Sequence, residues 1–357
     1  MLGIETSCDE TSAAVVAETG DSTRPWAIRS NVVASQVPIH REWGGVVPEL
    51  ASRQHVRDIC GVVEQALADA GVSWSDLGAV AVTQGPGLVG SLLVGLSFAK
   101  AAAVAAQLPI VGVHHLAGHI EALVLHNGEM PLPAVVLVVS GGHTNLYLVE
   151  RTGSYQLLSR TRDDAAGEAY DKVAKLLGLG YPGGPVVDRL AKGRDDRAVA
   201  LPTTRLTHPD RNAPELKGDL DFSFSGLKTA VLRHVQERRA AVGRLSEAEV
   251  ADICAAFQRI VVTALIDRTF DAARRVGAQS IGVTGGVSAN SRLREELKRR
   301  GDARDVPTFL PSLSLSTDNA AMIAAAGLRK LRAGVTSSLD MNADASLPLL
   351  TTNATTR

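Results

Sequence analysis

One pattern occurs twice in this chain and constrains its fold more than any other feature. Residues 1–18 run as an apolar MLGIE, a polar TSCDE and then TSAAVVAE. Residues 134–150, AVVLVVSGGHTNLYLVE, repeat the scheme of strand, polar Gly/Ser/Thr turn and strand. Apolar runs around a short polar turn predict a β-hairpin. After the first hairpin, the spacing of apolar residues predicts a helix over 48–71, a buried strand over 79–83, a small-residue helix over 88–106, a strand over 108–113 and a helix over 114–126. After the second come a strand over 155–160 and helices over 166–177 and 185–192. A helix over 247–276 opens with a Ser246/Glu249 capping box. A strand over 280–284, a helix over 288–300, a strand over 306–310 and a helix over 318–333 complete the series. A hairpin meander leading into β/α units, twice over, implies an α/β chain built by internal duplication of a mixed sheet with helices.

The expected division is an N-terminal lobe over 1–133, a C-terminal lobe over 134–333 and a mobile tail over 334–357, where Ser, Thr, Ala and Asn dominate without periodicity. Each lobe offers a turn whose backbone N–H groups suit a phosphate. Two such turns in a duplicated chain predict two lobes around a nucleotide cleft, the architecture of actin, sugar kinases and heat-shock ATPases. The chain has no GxxxxGK[ST] and no strand–GxGxxG–helix, which excludes a P-loop and leaves a Rossmann dinucleotide site unsupported.

Charge narrows the partners. Lys and Arg number 37 against 38 Asp and Glu, so the whole chain does not attract a polyanion. Residues 1–60 carry 5 basic and 8 acidic groups, a net of −3, whereas residues 186–244 carry 12 and 8, a net of +4. A polyanion is expected on the second region, through Arg194, Arg197, Arg205, Arg211, Arg233, Arg238 and Arg239. Only 13 aromatic residues argue against a base-stacking platform. Cys8, Cys60 and Cys254 are too few and too widely spaced for a disulfide framework or a metal knuckle, and they point to a reducing cytoplasm. The acidic opening MLGIETSCDE does not fit a signal peptide. The uncharged run 79–99 is broken at Gln84–Gly87, so it reads as strand, loop and helix rather than a membrane span.

Several residues could carry chemistry. His115 and His119 are four apart on an expected helix, which puts both imidazoles on one face within reach of one metal ion; two helix histidines with no ligand role are the plainer alternative. His114 points elsewhere. A metallopeptidase HExxH needs Glu directly after the first His, where this chain has Leu116, and Glu121 lies off that face. Asp318 is the candidate third ligand, although in STDN it equally suits a helix N-cap. Asp9 and Glu10 form an acidic pair in the first turn. SGGHT and GGVSAN bring glycines to where backbone could approach a ligand, with Asn290 either reading an adenosine edge or capping a helix. Asp171, Gly184 and Asp188 lie in a stretch that could hold ribose hydroxyls.

Taken together and in order, LGIETSCDETS, EWGGVVPELASRQH, TQGPGLVGSLLVG, HHLAGH, VSGGHT, AAGEAYDKVAKLLGLGYPGGP, FSFSGLKTAV, GGVSAN and STDNAAMIA resemble the tRNA threonylcarbamoyladenosine transferase family, TsaD in bacteria, once labelled O-sialoglycoprotein endopeptidase. The resemblance runs over residues 2–333. The archaeal pattern carries Tyr two positions before SGG, here Val138, so the bacterial form fits better. The resemblance implies the actin-like ATPase fold. It implies one divalent ion per subunit, Fe2+ favoured and Zn2+ the alternative, on His115, His119 and Asp318. It assigns substrate contacts to Val138, Val139, Ser140, Gly141, Gly142, Asp171, Gly184, Asp188 and Asn290, and a catalytic acidic pair to Asp9 and Glu10. The implied reaction moves the threonylcarbamoyl group from threonylcarbamoyl-adenylate to N6 of the adenosine next to the anticodon, in tRNAs reading codons that start with A. The products are t6A and AMP. A TsaB-type paralogue and a TsaE-type ATPase are the implied partners, with no membrane. A metal-dependent glycoprotein endopeptidase and an actin-type ATP-binding scaffold are the competing readings; the first lacks its glutamate and the second leaves the His pair unexplained.

Overall fold

The computed structural model describes residues 1–203, 206 and 218–349. In chain order the elements are β1 (Leu2–Glu5), β2 (Glu10–Glu18), β3 (Trp26–Ser35), α1 (Val37–His40), α2 (Pro48–Ala70), β4 (Val80–Gly85), α3 (Val89–Ala105), β5 (Ile110–His114) and α4 (His115–Asn127). The second half contributes β6 (Ala134–Val139), β7 (Thr144–Val149), β8 (Gln156–Arg160), α5 (Ala166–Leu177), α6 (Gly183–Ala191), α7 (Ser225–Val242), α8 (Glu247–Val276), β9 (Ser280–Thr284), α9 (Ser291–Arg304) and β10 (Thr308–Phe309). Two last helices, α10 (Leu313–Ser316) and α11 (Ala320–Arg332), follow.

The duplication is explicit in the strand order. One sheet runs β3-β2-β1-β4-β5 and the other β8-β7-β6-β9-β10. In both, the first strand pairs antiparallel with the second and parallel with the fourth. Alternation along the strands feeds two faces. Ala14, Val16, Ala79 and Ala81 join a core with α4 and α11, while Ala13, Val15, Val80 and Val82 face α2 and α3. β6 is apolar throughout and fully buried, as a central strand covered on both faces must be.

The chain forms two compact units, and their limits correct the expected lobes. The first comprises Met1–Met130, Arg151–Tyr155 and the described residues from Leu310 on; the second comprises Pro131–Glu150 and the described part of Gln156–Phe309. Residues 310–333 therefore belong to the first unit. The reason is packing: α11 is small-residued (AAMIAAAG) and lies so close on β1 that a Cβ on Gly3 would strike the backbone of Ala320 and Ala324. The expected tail is also tied down as far as it is described. Ser337 N–H donates to Ile110 O (2.8 Å), Lys100 Nζ to Met341 O (2.6 Å) and Asp344 N–H to Gln84 O (3.0 Å). Four elements, β3, α7 and the one-turn helices α1 and α10, have no counterpart among those expected from the sequence. Among the described residues no helix is long and apolar enough to cross a membrane.

Candidate active site

In the first unit, β1, β4 and β5 are parallel, and their carboxyl ends carry the Glu5–Glu10 turn, the Gly85–Gly87 loop and the start of α4. Open α/β sheets bind ligands at such ends. His114 caps α4 by accepting the Leu116 N–H (3.1 Å) on Nδ1, and its Nε2 donates to Leu347 O (2.8 Å). Burial pulls its pKa down to about 4, so the ring is neutral. It does not join the ligand group, as its expected direction implied.

His115 and His119 stand one helical turn apart, both buried, with ring centroids 4.8 Å apart. Asp318 comes to them from the other end of the chain. Its Oδ1 lies 3.1 Å from His119 Nε2 and 3.5 Å from His115 Nε2. One donor atom from each of the three falls within 4.8 Å of the others. The capping alternative for Asp318 is resolved by its neighbour: Asn319 is the N-cap of α11, its Oδ1 accepting the Met322 N–H (3.1 Å). Two features bring α4 and α11 together. Gly118, inside HHLAGH, leaves room for Ile323 and Met322, which a Cβ would approach to 2.8 and 3.1 Å. Glu121, on the face away from the ligands, accepts from Trp26 Nε1 and Arg329.

Two nitrogen donors and a carboxylate converging in a buried pocket fit a borderline divalent ion such as Zn2+ or Fe2+. Electrostatics agree. Burial, then Asp9 and then Asp318 push the Glu10 carboxyl well above the usual range, and the Cys8 thiol is raised by the same three influences. Burial alone would lower the His115 pKa, but Asp318 and Glu5 outweigh it and raise it to about 9. This crowd of carboxylates is what a cation relieves.

Sequence reasoning missed Glu5. It ends a four-residue strand buried at every position, and its Oε2 accepts from His115 Nδ1 (2.9 Å) and from Thr83 Oγ1 (2.7 Å). The available signal was a lone carboxylate closing an apolar strand immediately before the acidic turn.

In the second unit the same topological place, the carboxyl ends of β6 and β9, carries the SGG turn and GGVSAN. Val138 and Val139, the end of β6, are fully buried, and the turn that follows them is exposed at Gly141 and Gly142. Ser140 N–H donates to His143 O (2.8 Å), and Gly167 N–H donates to Ser140 O (3.1 Å). Neither Gly141 nor Gly142 has a positive φ, and a Cβ on either would meet nothing within 4 Å. The glycines the fold requires are Gly167, packed on Ser140 and Gly141, and Gly285, with φ +93° against the Val139 backbone. Asp171 Oδ1 accepts the Gly183 N–H (2.7 Å), which sets Gly184 in open space at the start of α6. Asp188 accepts from Ser291 N–H (3.1 Å) and Oγ (2.8 Å). Asn290 caps α9 through the Leu293 N–H (3.0 Å) and donates to Gln258 (2.8 Å). The fold thus gathers Asp171, Gly184, Asp188 and Asn290 at the starts of α6 and α9. Of the basic set, Arg194 pairs with Asp252 and Arg238 with Glu249. Arg197, Arg233 and Arg239 are exposed, and Arg205 and Arg211 lie outside the described residues.

The family model for tRNA N6-adenosine threonylcarbamoyltransferase (TsaD) matches residues 27–325. A relative of that name from Koribacter versatilis (strain Ellin345) is 48% identical over 381 residues, covering 98% of each chain. Another from Anaeromyxobacter sp. (strain Fw109-5) is 51% identical over 346 residues, covering 96% of this chain and 98% of the relative. Among solved structures, full-length HypF in a phosphate- and nucleotide-bound form matches with a TM-score of 0.58 at 12% identity, over 93% of this chain and 46% of that one. HypF of T. kodakarensis gives a TM-score of 0.56 at 13% identity, over 93% and 47%. These two likenesses concern the fold alone. They agree with the duplicated, actin-like topology of the two sheets.

Proposed function

The chain belongs to the tRNA N6-adenosine threonylcarbamoyltransferase family, and on that premise we propose how its residues divide the work. The activity is that of an acyltransferase: the threonylcarbamoyl group passes from threonylcarbamoyl-adenylate to N6 of a tRNA adenosine, forming t6A and releasing AMP. The chemical difficulty lies in the nucleophile, since the N6 lone pair is delocalised into the purine. An activated donor and a polarised carbonyl are needed to compensate.

His115, His119 and Asp318 hold one divalent ion, Fe2+ by preference or Zn2+. The observation that carries this is their convergence, two imidazoles and a carboxylate from opposite ends of the chain. Bound there, the ion supplies Lewis-acid polarisation of donor oxygens. The SGG turn, Ser140 to Gly142, offers its open backbone to the acyl-phosphate part of the donor. Gly184, with Asp171 and Asp188 shaping the starts of α6 and α9, receives the adenylate. One carboxylate of the pair, Asp9 or Glu10, accepts the proton that N6 loses or positions the target base. The peptidase alternative finds no support: Leu116 occupies the place of its general base, and Glu121 is bound up with Trp26 and Arg329.

The acceptor is the adenosine beside the anticodon, where loop bases can be splayed out. A TsaB-type paralogue and a TsaE-type ATPase complete the system, in the cytoplasm, where tRNA and three unpaired cysteines are at home. The test is reconstitution with unmodified tRNA, threonine, bicarbonate, ATP and those partners, followed by nucleoside mass spectrometry. Formation of t6A is expected. No t6A together with cleavage of casein or a glycoprotein would overturn the reading.

A further inference from the structure

We propose that Glu5 is a positioning residue for the metal centre, holding His115 in the one tautomer and ring orientation that presents Nε2 to the ion. This rests on the metal reading above and adds a residue to it. A carboxylate with no solvent exposure at the end of the strand LGIE is costly unless it is fully engaged. It is: Oε1 accepts the Ser7 N–H (2.5 Å), and Oε2 meets both Thr83 Oγ1 (2.7 Å) and His115 Nδ1 (2.9 Å).

The placement follows from strand register. Ile4 lies opposite Val82 in β1 and β4, which sets Glu5 beside Thr83 at the strand ends. Thr83 lies opposite Val113 of β5, two residues before His115. Three parallel strands therefore bring carboxylate, hydroxyl and imidazole into line before any ion arrives. Glu5 is not itself a ligand. It meets Nδ1, the far nitrogen, while Nε2 faces Asp318 Oδ1 at 3.5 Å. A carboxylate accepting from Nδ1–H keeps that proton in place, leaves Nε2 as the ligating atom and raises its basicity. Ser7 Oγ, at 3.2 Å from Nδ1, is a neutral and more distant neighbour.

The experiment is Zn2+ titration against a competing chelator, using the metal-stripped wild type, Glu5→Gln and Thr83→Val, with melting temperatures of the stripped proteins measured alongside. Glu5→Gln keeps the shape and removes the charge. It should weaken Zn2+ by about 10–100-fold. Thr83→Val, a second variant that leaves the Glu5 carboxylate in place, frees Glu5 from one anchor and should weaken Zn2+ by a smaller factor, up to about tenfold. A purely structural Glu5 would lower melting temperature and leave the Zn2+ affinity of the folded protein unchanged, and that result would overturn the proposal. If wild type and His119→Ala both fail to take up Zn2+, the metal reading falls and the role of Glu5 falls with it. If the wild type binds and Glu5→Gln binds equally, only the role of Glu5 is lost.

Discussion

Gly141→Val adds a side chain above a turn where nothing within 4 Å meets the new Cβ and where φ is not positive. Its melting temperature should stay close to wild type, since such open sites change stability by about 0.5 kcal/mol or less. Affinity for AMP or threonylcarbamoyl-adenylate should nevertheless drop more than tenfold, because the side chain fills the space reserved for the donor. Normal melting with wild-type affinity would remove this turn from the site. His55 makes a second residue-scale case. It is fully buried, with Thr11 Oγ1 at 2.7 Å from Nδ1 and Cys8 O at 2.9 Å from Nε2, and burial lowers its pKa. The fold therefore favours the neutral ring. That contribution is present above pH 6.5, the ordinary imidazole value, and is lost as the pH falls below it. Melting temperature should fall more between pH 7.5 and 5.5 in wild type than in His55→Gln; equal falls would contradict the assignment. At this scale the sequence was partly legible. The i,i+4 spacing of His115 and His119 shows through any fold, but Glu5 looks like an ordinary strand-end acid until register brings Thr83 and His115 to it. Asp318 and Asn319 both suit an N-cap, and only the helix start distinguishes them.

Among the elements, the pairing of α4 with α11 is what brings Asp318 to His115 and His119. Gly118→Val would push a branched side chain into Ile323 and Met322, an overpacking that costs about 1–3 kcal/mol. It should also loosen metal binding, because Asp318 immediately precedes α11. Unchanged metal affinity in a folded Gly118→Val protein would show that this packing does not govern the site. The helices and strands with strong periodicity were readable to within a few residues, including the Ser246/Glu249 capping box of α8. β3 was not, because WAIRSNVVAS is an edge strand with mixed exposure and no clean alternation. α7 was missed because its apolar stripe is thin: Leu227, Val231 and Val235 are its only buried residues, and Leu232 and Val242 lie exposed off that stripe.

At the scale of the molecule, the repeated hairpin announced the duplication, and the identical strand orders bear it out. The return of the chain to the first unit after Phe309 was hidden, since no local signal reports that a helix packs on a strand some 300 residues earlier. The basic region 186–244 is narrower than its composition suggested, because Arg194 and Arg238 are engaged by Asp252 and Glu249. Replacing Arg197, Arg233 and Arg239 together should weaken tRNA binding and reduce the salt slope by about 0.7–0.9 for each phosphate no longer neutralised; an unchanged slope would place the footprint elsewhere. The most direct test of the whole reading is metal content measured together with t6A formation, in wild type and in His119→Ala, under the same reconstitution. Wild type should carry one ion per chain and modify tRNA, while His119→Ala should melt near wild type, lose most of its metal and make no t6A. A His119→Ala protein that retains full metal occupancy, or that makes t6A at the wild-type rate without metal, would contradict the assignment of His115, His119 and Asp318 as the centre of the enzyme.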